Sequence, residues 1–320
     1  MMVAGIRTLM RAALTGMVSA LWVSASAQVV GLGTTQTGAT FQLATGLAKV
    51  VSDKGGMQMR TQPMAGAAQY APLVNRGDIE FGISNVPELH YLVNGTVIVE
   101  RPNPDLRMVA RIVPWYNGLV VKKDSPLKSV ADLKGQPVPA GFSGNPLGKV
   151  LITGYLANAG MGFDDTRQVP VPAFPRMFDA FKQQQTVTSI GTIGMAQLRE
   201  WDAALGGVRF LPFDPAPKAV EAITRHVPHS RVEVVQPAPG RLGVDQPTAM
   251  LVYDYALWAN AKVSNDIVAK VVRALHANEA DLKAAGPLFA EFESRRIGDD
   301  TGIAYHPGAI EAFKSLGIAR

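Results

Sequence analysis

The stretch QVVGLGTTQTGATF, residues Gln28 to Phe41, decides how the rest of the chain is read. Val29 to Leu32 is a short apolar run bounded by glycines, which predicts a buried strand. Glycine and threonine then dominate Gly31 to Gly38. From Ala39 to Val51, Phe41, Leu43, Leu47, Val50 and Val51 recur near one face at helical spacing. Strand, hydroxyl-rich turn and helix start, in that order, put free amides and hydroxyls where a carboxylate or phosphate can be held, and glycine lets the backbone come close. An ordinary strand-to-helix turn with an N-cap threonine has the same composition. The loop is neither a dinucleotide fingerprint, because Gln36 stands at the third glycine position, nor a P-loop, because it lacks the lysine.

Upstream of this stretch, Arg7 and Arg11 precede an apolar run from Leu14 to Val23, and Ala25-Ser26-Ala27 supplies small residues for cleavage after Ala27. Residues 1–27 therefore read as a signal peptide, and the mature chain is expected in a periplasm. The apolar run falls short of the roughly 18–20 residues needed to span a bilayer. With no cysteine there is neither a disulfide framework nor a thiol for a lipid anchor. Cleavage leaves 293 residues, enough for two lobes, and takes away two of the 31 basic side chains. The remaining 29 against 26 acidic ones give a charge near +3, a mild bias toward anions. Lys and Arg are scattered and no basic run is interleaved with aromatics, so a nucleic-acid partner is not expected.

Beyond Val51, strands are expected at Met57 to Thr61 and Ile79 to Ser84, with a helix from Gly66 to Asn75 between them. This β-α-β-α-β order predicts an α/β lobe with a largely parallel sheet. Leu106 to Val113 and Leu119 to Lys122 look like two strands on either side of Pro114-Trp115-Tyr116-Asn117, an interruption read as a crossing between lobes. Further on come a strand around Val138, helices at Pro146 to Ala159 and Met195 to Leu205, and a strand at Val208 to Leu211. Phe213 to Pro247 is rich in proline and resists assignment. Met250 to Tyr253 is expected to form the return crossing, followed by a long helix from Asn265 to Ala285. The lobes are then 28–113 plus about 246–320, and about 114–245.

Two further loops carry candidate chemistry. Gly141-Phe142-Ser143-Gly144-Asn145-Pro146 combines small residues, a hydroxyl and an amide with a proline suited to a helix's first turn, so two helix starts facing one cleft would clamp an anion. Ser84-Asn85 closes a strand where open α/β sheets place ligands; a plain turn before Pro87 is the alternative. Catalysis finds little support. Ser143 does not sit in a G-x-S-x-G elbow, and His90, His226, His229, His276 and His306 are dispersed, with Pro228 between the two that are close. No enzyme activity, metal or cofactor is expected. Trp115 and Tyr116 either pack at the crossing or line a cleft.

These segments together resemble the TAXI-type solute-binding proteins of tripartite ATP-independent periplasmic (TRAP) transporters. The resemblance rests on GLGTTQTGATF, on the stretch from Gly66 ending in Arg76-Gly77-Asp78-Ile79-Glu80-Phe81-Gly82-Ile83-Ser84, and on Ser125-Pro126-Leu127-Lys128-Ser129-Val130-Ala131-Asp132-Leu133-Lys134-Gly135. The loop Gly141 to Gly148 and the terminal Tyr305-His306-Pro307-Gly308-Ala309 complete it. It implies an α/β, type II-like two-lobed periplasmic binding protein with a hinge of crossing strands. It further implies capture of a small anionic solute, such as glutamate, glutamine or a related carboxylate, for membrane permease subunits. Carried over by position, the ligand contacts would be Thr34, Thr35, Thr37, Gly38, Asn85, Ser143, Gly144 and Asn145. The chain departs from the family around Gln183 to Trp201, where Thr188 to Ala196 replaces a short acidic strand entry and a Gly-x-Pro turn. Arg60, Arg111 and Arg176 are candidates for the cation that pairs with the carboxylate. A ligand-sensing adaptor for a membrane kinase or a tricarboxylate receptor would share the clamp, and a periplasmic hydrolase is a more distant alternative.

Overall fold

The computed structural model describes residues 28–318, so the expected signal peptide lies outside the described residues. The opening is built as its pattern predicts: β1 (Val29–Thr35), α1 (Gly38–Lys54), β2 (Gln58–Met64), α2 (Ala67–Arg76), β3 (Phe81–Asn85) and then α3 (Val86–Asn94). β1 lies between β2 and β3 and pairs in parallel with both. α1 buries Leu43, Leu47, Val50 and Val51, positions i, i+4, i+7 and i+8 of one face, while Phe41 is only half-buried. Each fully buried side chain of this kind stabilises the fold by about 1.5–3 kcal/mol.

The crossing is one strand, not two: β4 (Leu106–Lys122) runs straight through Pro114-Trp115-Tyr116-Asn117. Proline is tolerated there because the ladder with the returning strand shifts register beside it, between Asp254 and Ala256, and an irregular ladder can spare the missing N–H. The chain continues through β5 (Pro137–Gly141), α4 (Pro146–Asn158), β6 (Arg167–Val171), α5 (Phe174–Lys182), β7 (Ser189–Thr192), α6 (Ala196–Leu205) and β8 (Val208–Leu211). The proline-rich stretch holds α7 (Pro217–His226) and β9 (Arg231–Val235). β10 (Thr248–Asn260) then returns, and α8 (Asn265–Ala277), α9 (Glu279–Ala284) and α10 (Pro307–Leu316) follow. The helix expected from Asn265 to Ala285 is thus interrupted at Asn278, whose ψ of 42 departs from helical geometry.

Eight strands form one curled sheet in which β2, β1, β3, β10, β4 and β7 are consecutive neighbours, with β8 on β4 and β9 on β10; β5 and β6 make a separate parallel pair. A largely parallel arrangement therefore holds only for β2-β1-β3 and β5-β6, since every contact of β4 and β10 with other strands is antiparallel. The second half of β10 pairs with β3 and the first half with β9, while β4 reaches from β10 to β7 and β8. The result is an α/β fold of two lobes with a hinge of crossing strands. No helix among the described residues is long and apolar enough to cross a membrane.

Candidate functional site

A cavity of about 70 Å3 opens between the carboxyl ends of the β1 and β3 strands, the crossing strands and α4 to α6. A water molecule needs roughly 10–15 Å3 by this measure, so the space suits a small solute and no polymer. Its floor comes from the middle of the crossing, where Trp115 stands opposite Tyr253 and the Trp115 ring lies 3.6 Å, centroid to centroid, from that of Tyr255. Trp115 and Asn117, and likewise Tyr253 and Tyr255, are two residues apart on a strand and so share a face.

Five of the eight residues singled out from sequence line this cavity: Thr35, Thr37, Gly38, Asn85 and Asn145. Thr37 is the N-cap of α1 but makes no side-chain cap bond, which leaves its hydroxyl and the first-turn amides for another acceptor. Gly38 takes φ +81, a conformation that strains any side chain, and this turns the chain from β1 into the helix. Thr35 Oγ1 donates to the Thr37 carbonyl at 3.0 Å. Asn85 caps α3, its Oδ1 accepting from the Glu88 amide at 2.8 Å. Asn145 Nδ2 donates at 3.1 Å to the Ala65 carbonyl, 80 positions away, which ties α4 to the turn before α2.

The other three lie off the lining. Thr34 is fully buried, with Oγ1 directed to the Thr40 carbonyl at 3.4 Å. Ser143 is exposed, and the Gly144 amide is spent on the Pro172 carbonyl at 2.8 Å. Ser84 is buried as well and accepts from Trp258 Nε1 at 3.0 Å. Gly33 serves packing: a Cβ there would stand 2.8 Å from the ring of Tyr70, whose hydroxyl donates to the Ile83 carbonyl at 2.6 Å.

None of the three candidate arginines lines the cavity. Arg111 is buried and pairs with Asp254 at 2.7 Å, Arg176 is exposed and pairs with Asp179 at 3.5 Å, and Arg60 is exposed on β2. Glu88, which the sequence reading passed over, is on the wall instead. It is only 5% exposed, its Oε2 accepts from Asn85 Nδ2 at 3.3 Å, and burial pushes its carboxyl up to about 8. Burial raises the Tyr253 and Tyr255 hydroxyls too, and Tyr255 shares a 2.5 Å hydrogen bond with Thr40. Trp115 Nε1 is buried and has no partner among the described residues.

Between α4 and α6 the wall changes character, being made by Leu147, Leu151, Phe174, Phe178, Ile190 and Met195. The departure around Thr188 to Ala196 is therefore part of the lining, through Ile190, Gly191, Thr192 and Met195. Sequence signals for the missed residues did exist. An Asn-x-x-Glu spacing at a helix start marks Glu88, and aromatic alternation in the return crossing marks Tyr253 and Tyr255. Among the described residues no group of three His, Asp or Glu could hold a metal. The dispersed histidines nevertheless include one contact, with the rings of His90 and His229 stacked 3.7 Å apart.

Residues 32–317 match the model of the NMT1-like family. Among solved structures, the chain is similar to the periplasmic binding protein BugD (TM-score 0.58, 14% identity, covering 91% of this chain and 98% of that one). It is also similar to a periplasmic transporter protein (TM-score 0.59, 14% identity, 91% and 94% covered). A third is the binding-protein component of an ABC phosphonate transporter from Pseudomonas aeruginosa (TM-score 0.53, 12% identity, 81% and 78% covered). At these identities the likeness is one of fold.

Proposed function

Because the chain belongs to the NMT1-like family, we propose that it is a periplasmic solute-binding protein that closes two lobes on one small carboxylate-bearing solute and hands it to a membrane transporter. The observation that carries this function is the cavity itself, where Thr37, Gly38 and Asn85 meet Asn145 across the cleft. The solute's carboxylate would be received by the first-turn amides of α1, the Thr37 hydroxyl and the unpartnered Trp115 Nε1. Closure over the apolar wall would expel water and strengthen those hydrogen bonds. The fold shared with periplasmic binding proteins supports delivery to a transporter.

Several finer points belong to the same proposal. The chain is exported by cleavage after Ala27, the lobes are 28–113 with about 246–320 and about 114–245, and the protein is a receptor rather than an enzyme. The motif series from Gly31 to Ala309 supports a TAXI-type receptor for TRAP permease subunits, taking a glutamate- or glutamine-like solute. An ABC-type phosphonate receptor is the second reading, favoured by the likeness in fold to such a protein. A phosphonate dianion, however, would meet no lysine or arginine on the lining among the described residues.

The test is a set of melting curves of the refolded, ligand-stripped mature protein against amino acids, dicarboxylates, keto acids and methylphosphonate. A solute at 100 times its dissociation constant adds about 2.7 kcal/mol of stability. A shift confined to carboxylates supports the receptor; a shift with methylphosphonate alone favours the second reading, and no shift in the whole panel overturns both.

A further inference from the structure

The cavity wall carries one ionisable group besides its tyrosines, and that group is acidic. Besides the Asn85 amide that donates to it, the titratable groups that act on Glu88 are tyrosines, Tyr70 from α2 and Tyr253 and Tyr255 from β10, and no lysine, arginine or histidine lines the cavity among the described residues. Burial alone makes the carboxyl a weaker acid, raising its pKa to about 8. A carboxyl held dry without a cation is costly, and local structure does not require it. Asn85 caps α3 through its own Oδ1, and a glutamine at position 88 would accept from Asn85 Nδ2 equally well. Aromatic rings line the same cavity, Trp115, Tyr253 and Tyr255 from the crossing strands and Phe174 and Phe178 from the wall opposite Glu88. Aromatic faces attract cations, most strongly when desolvated.

We propose that Glu88 and these aromatic rings bind a protonated amine of the solute, so that the cleft selects small zwitterions, with amine and carboxylate on one molecule, over di- and tricarboxylates. The proposal rests on the cleft being a carboxylate-solute site, as proposed above. The carboxylate sits at the start of α1 and the ammonium at Glu88, so the two charges are matched inside the closed cleft. An ammonium beside Glu88 favours its ionised form. Binding near neutral pH therefore releases the Glu88 proton to solvent. The converse arrangement, a protonated Glu88 donating to a solute carboxylate, holds that proton and weakens as pH rises.

Matched pairs test this on the refolded mature protein: leucine against 4-methylpentanoate, glutamate against glutarate, and glutamine against glutaramate. Thermal shifts identify binders, and titration calorimetry in two buffers of different ionisation enthalpy at pH 7 counts protons. At least one amine-bearing member is expected to bind while its amine-free partner does not, with net proton release. Glu88→Gln should weaken that binding by about tenfold or more, and wild-type affinity should rise by up to about tenfold per pH unit up to pH 8. The unliganded melting curve of Glu88→Gln shows that the variant is folded. Amine-free members binding as tightly as their partners, proton uptake, or an unchanged affinity in Glu88→Gln would each overturn the zwitterion proposal alone. Failure of all six solutes to bind would overturn it together with the carboxylate-site reading beneath it.

Discussion

The two walls of the cavity are built from different materials. One, from the β1-α1 turn and the start of α3, presents Thr35, Thr37, Thr40, Asn85 and Glu88; the other, from α4 to the start of α6, presents Leu147, Leu151, Phe174, Phe178, Ile190 and Met195. The polar side chains this second wall brings to the lining are already engaged, Asn145, the N-cap of α4, donating to the Ala65 carbonyl across the cleft and Thr192 Oγ1 donating to the Tyr116 carbonyl. The difference teaches how the labour of binding is divided. Directional hydrogen bonds choose the solute on the polar wall, while the apolar wall dries those bonds as it closes.

The largest effect expected is on the polar wall's dry carboxyl. Glu88 titrates at about 8 when folded and at the usual 4.5 when unfolded, so the folded state binds more protons between those values. The stability that this group contributes is full below pH 4.5, falls as pH rises and levels off above 8. In the unliganded protein Glu88→Gln removes this fall, so the variant should be more stable than wild type by on the order of 4 kcal/mol at pH 9 and equal to it below pH 4.5. Urea denaturation across pH measures the gap; a gap independent of pH would mean that this wall is as wet as the surface.

A pair of glycine changes compares the scaffolds beneath the two walls. Gly33→Ala drives a Cβ to 2.8 Å from the Tyr70 ring, whereas Gly144→Ala meets only the Pro172 carbonyl at 3.3 Å. The first should cost about 2–3 kcal/mol of stability and the second under about 1. Equal losses in thermal denaturation would erase the distinction.

Smaller effects separate recognition from closure. Asn145→Ala removes the bond to Ala65 and should weaken every solute alike by about 1 kcal/mol, or fivefold. Thr37→Val should instead change the ranking of solutes, since it removes one hydroxyl from the polar wall. Calorimetry of both variants with the same solutes reads the contrast, and a change of ranking in Asn145→Ala would reverse the roles assigned. The smallest effect lies outside the cavity. Burial and the stacked His90 ring hold His229 below the ordinary histidine range, so the folded state binds fewer protons below about pH 6.5. Stability contributed by neutral His229 is present above that pH and lost as pH falls through it. His229→Asn should flatten that limb of the stability curve.

Local pattern was enough for the parts of the fold held by near neighbours in sequence. Val29 to Val51 announced strand, turn and helix through composition and spacing, and Val208 to Leu211 was found without displacement. The crossing was misread as two strands because Pro114 is a strong breaker signal, and only the irregular pairing with β10 makes it acceptable. Composition explains the glycines of the Gly31 to Gly38 loop by close backbone approach, but at Gly33 the atoms that need the room belong to the Tyr70 ring.

By itself, then, the sequence determined the β-α-β-α-β opening, the threonine-glycine turn that starts α1 and the places where long strands cross. It did so because these depend on side-chain periodicity and turn chemistry within a few residues. Tertiary structure alone decided which groups share the cavity: Thr40 meets Tyr255 across 215 positions, Asn145 meets Ala65 across 80, and the candidate arginines are turned away. Such meetings depend on how two antiparallel crossing strands bring distant segments side by side, and no local pattern encodes that pairing.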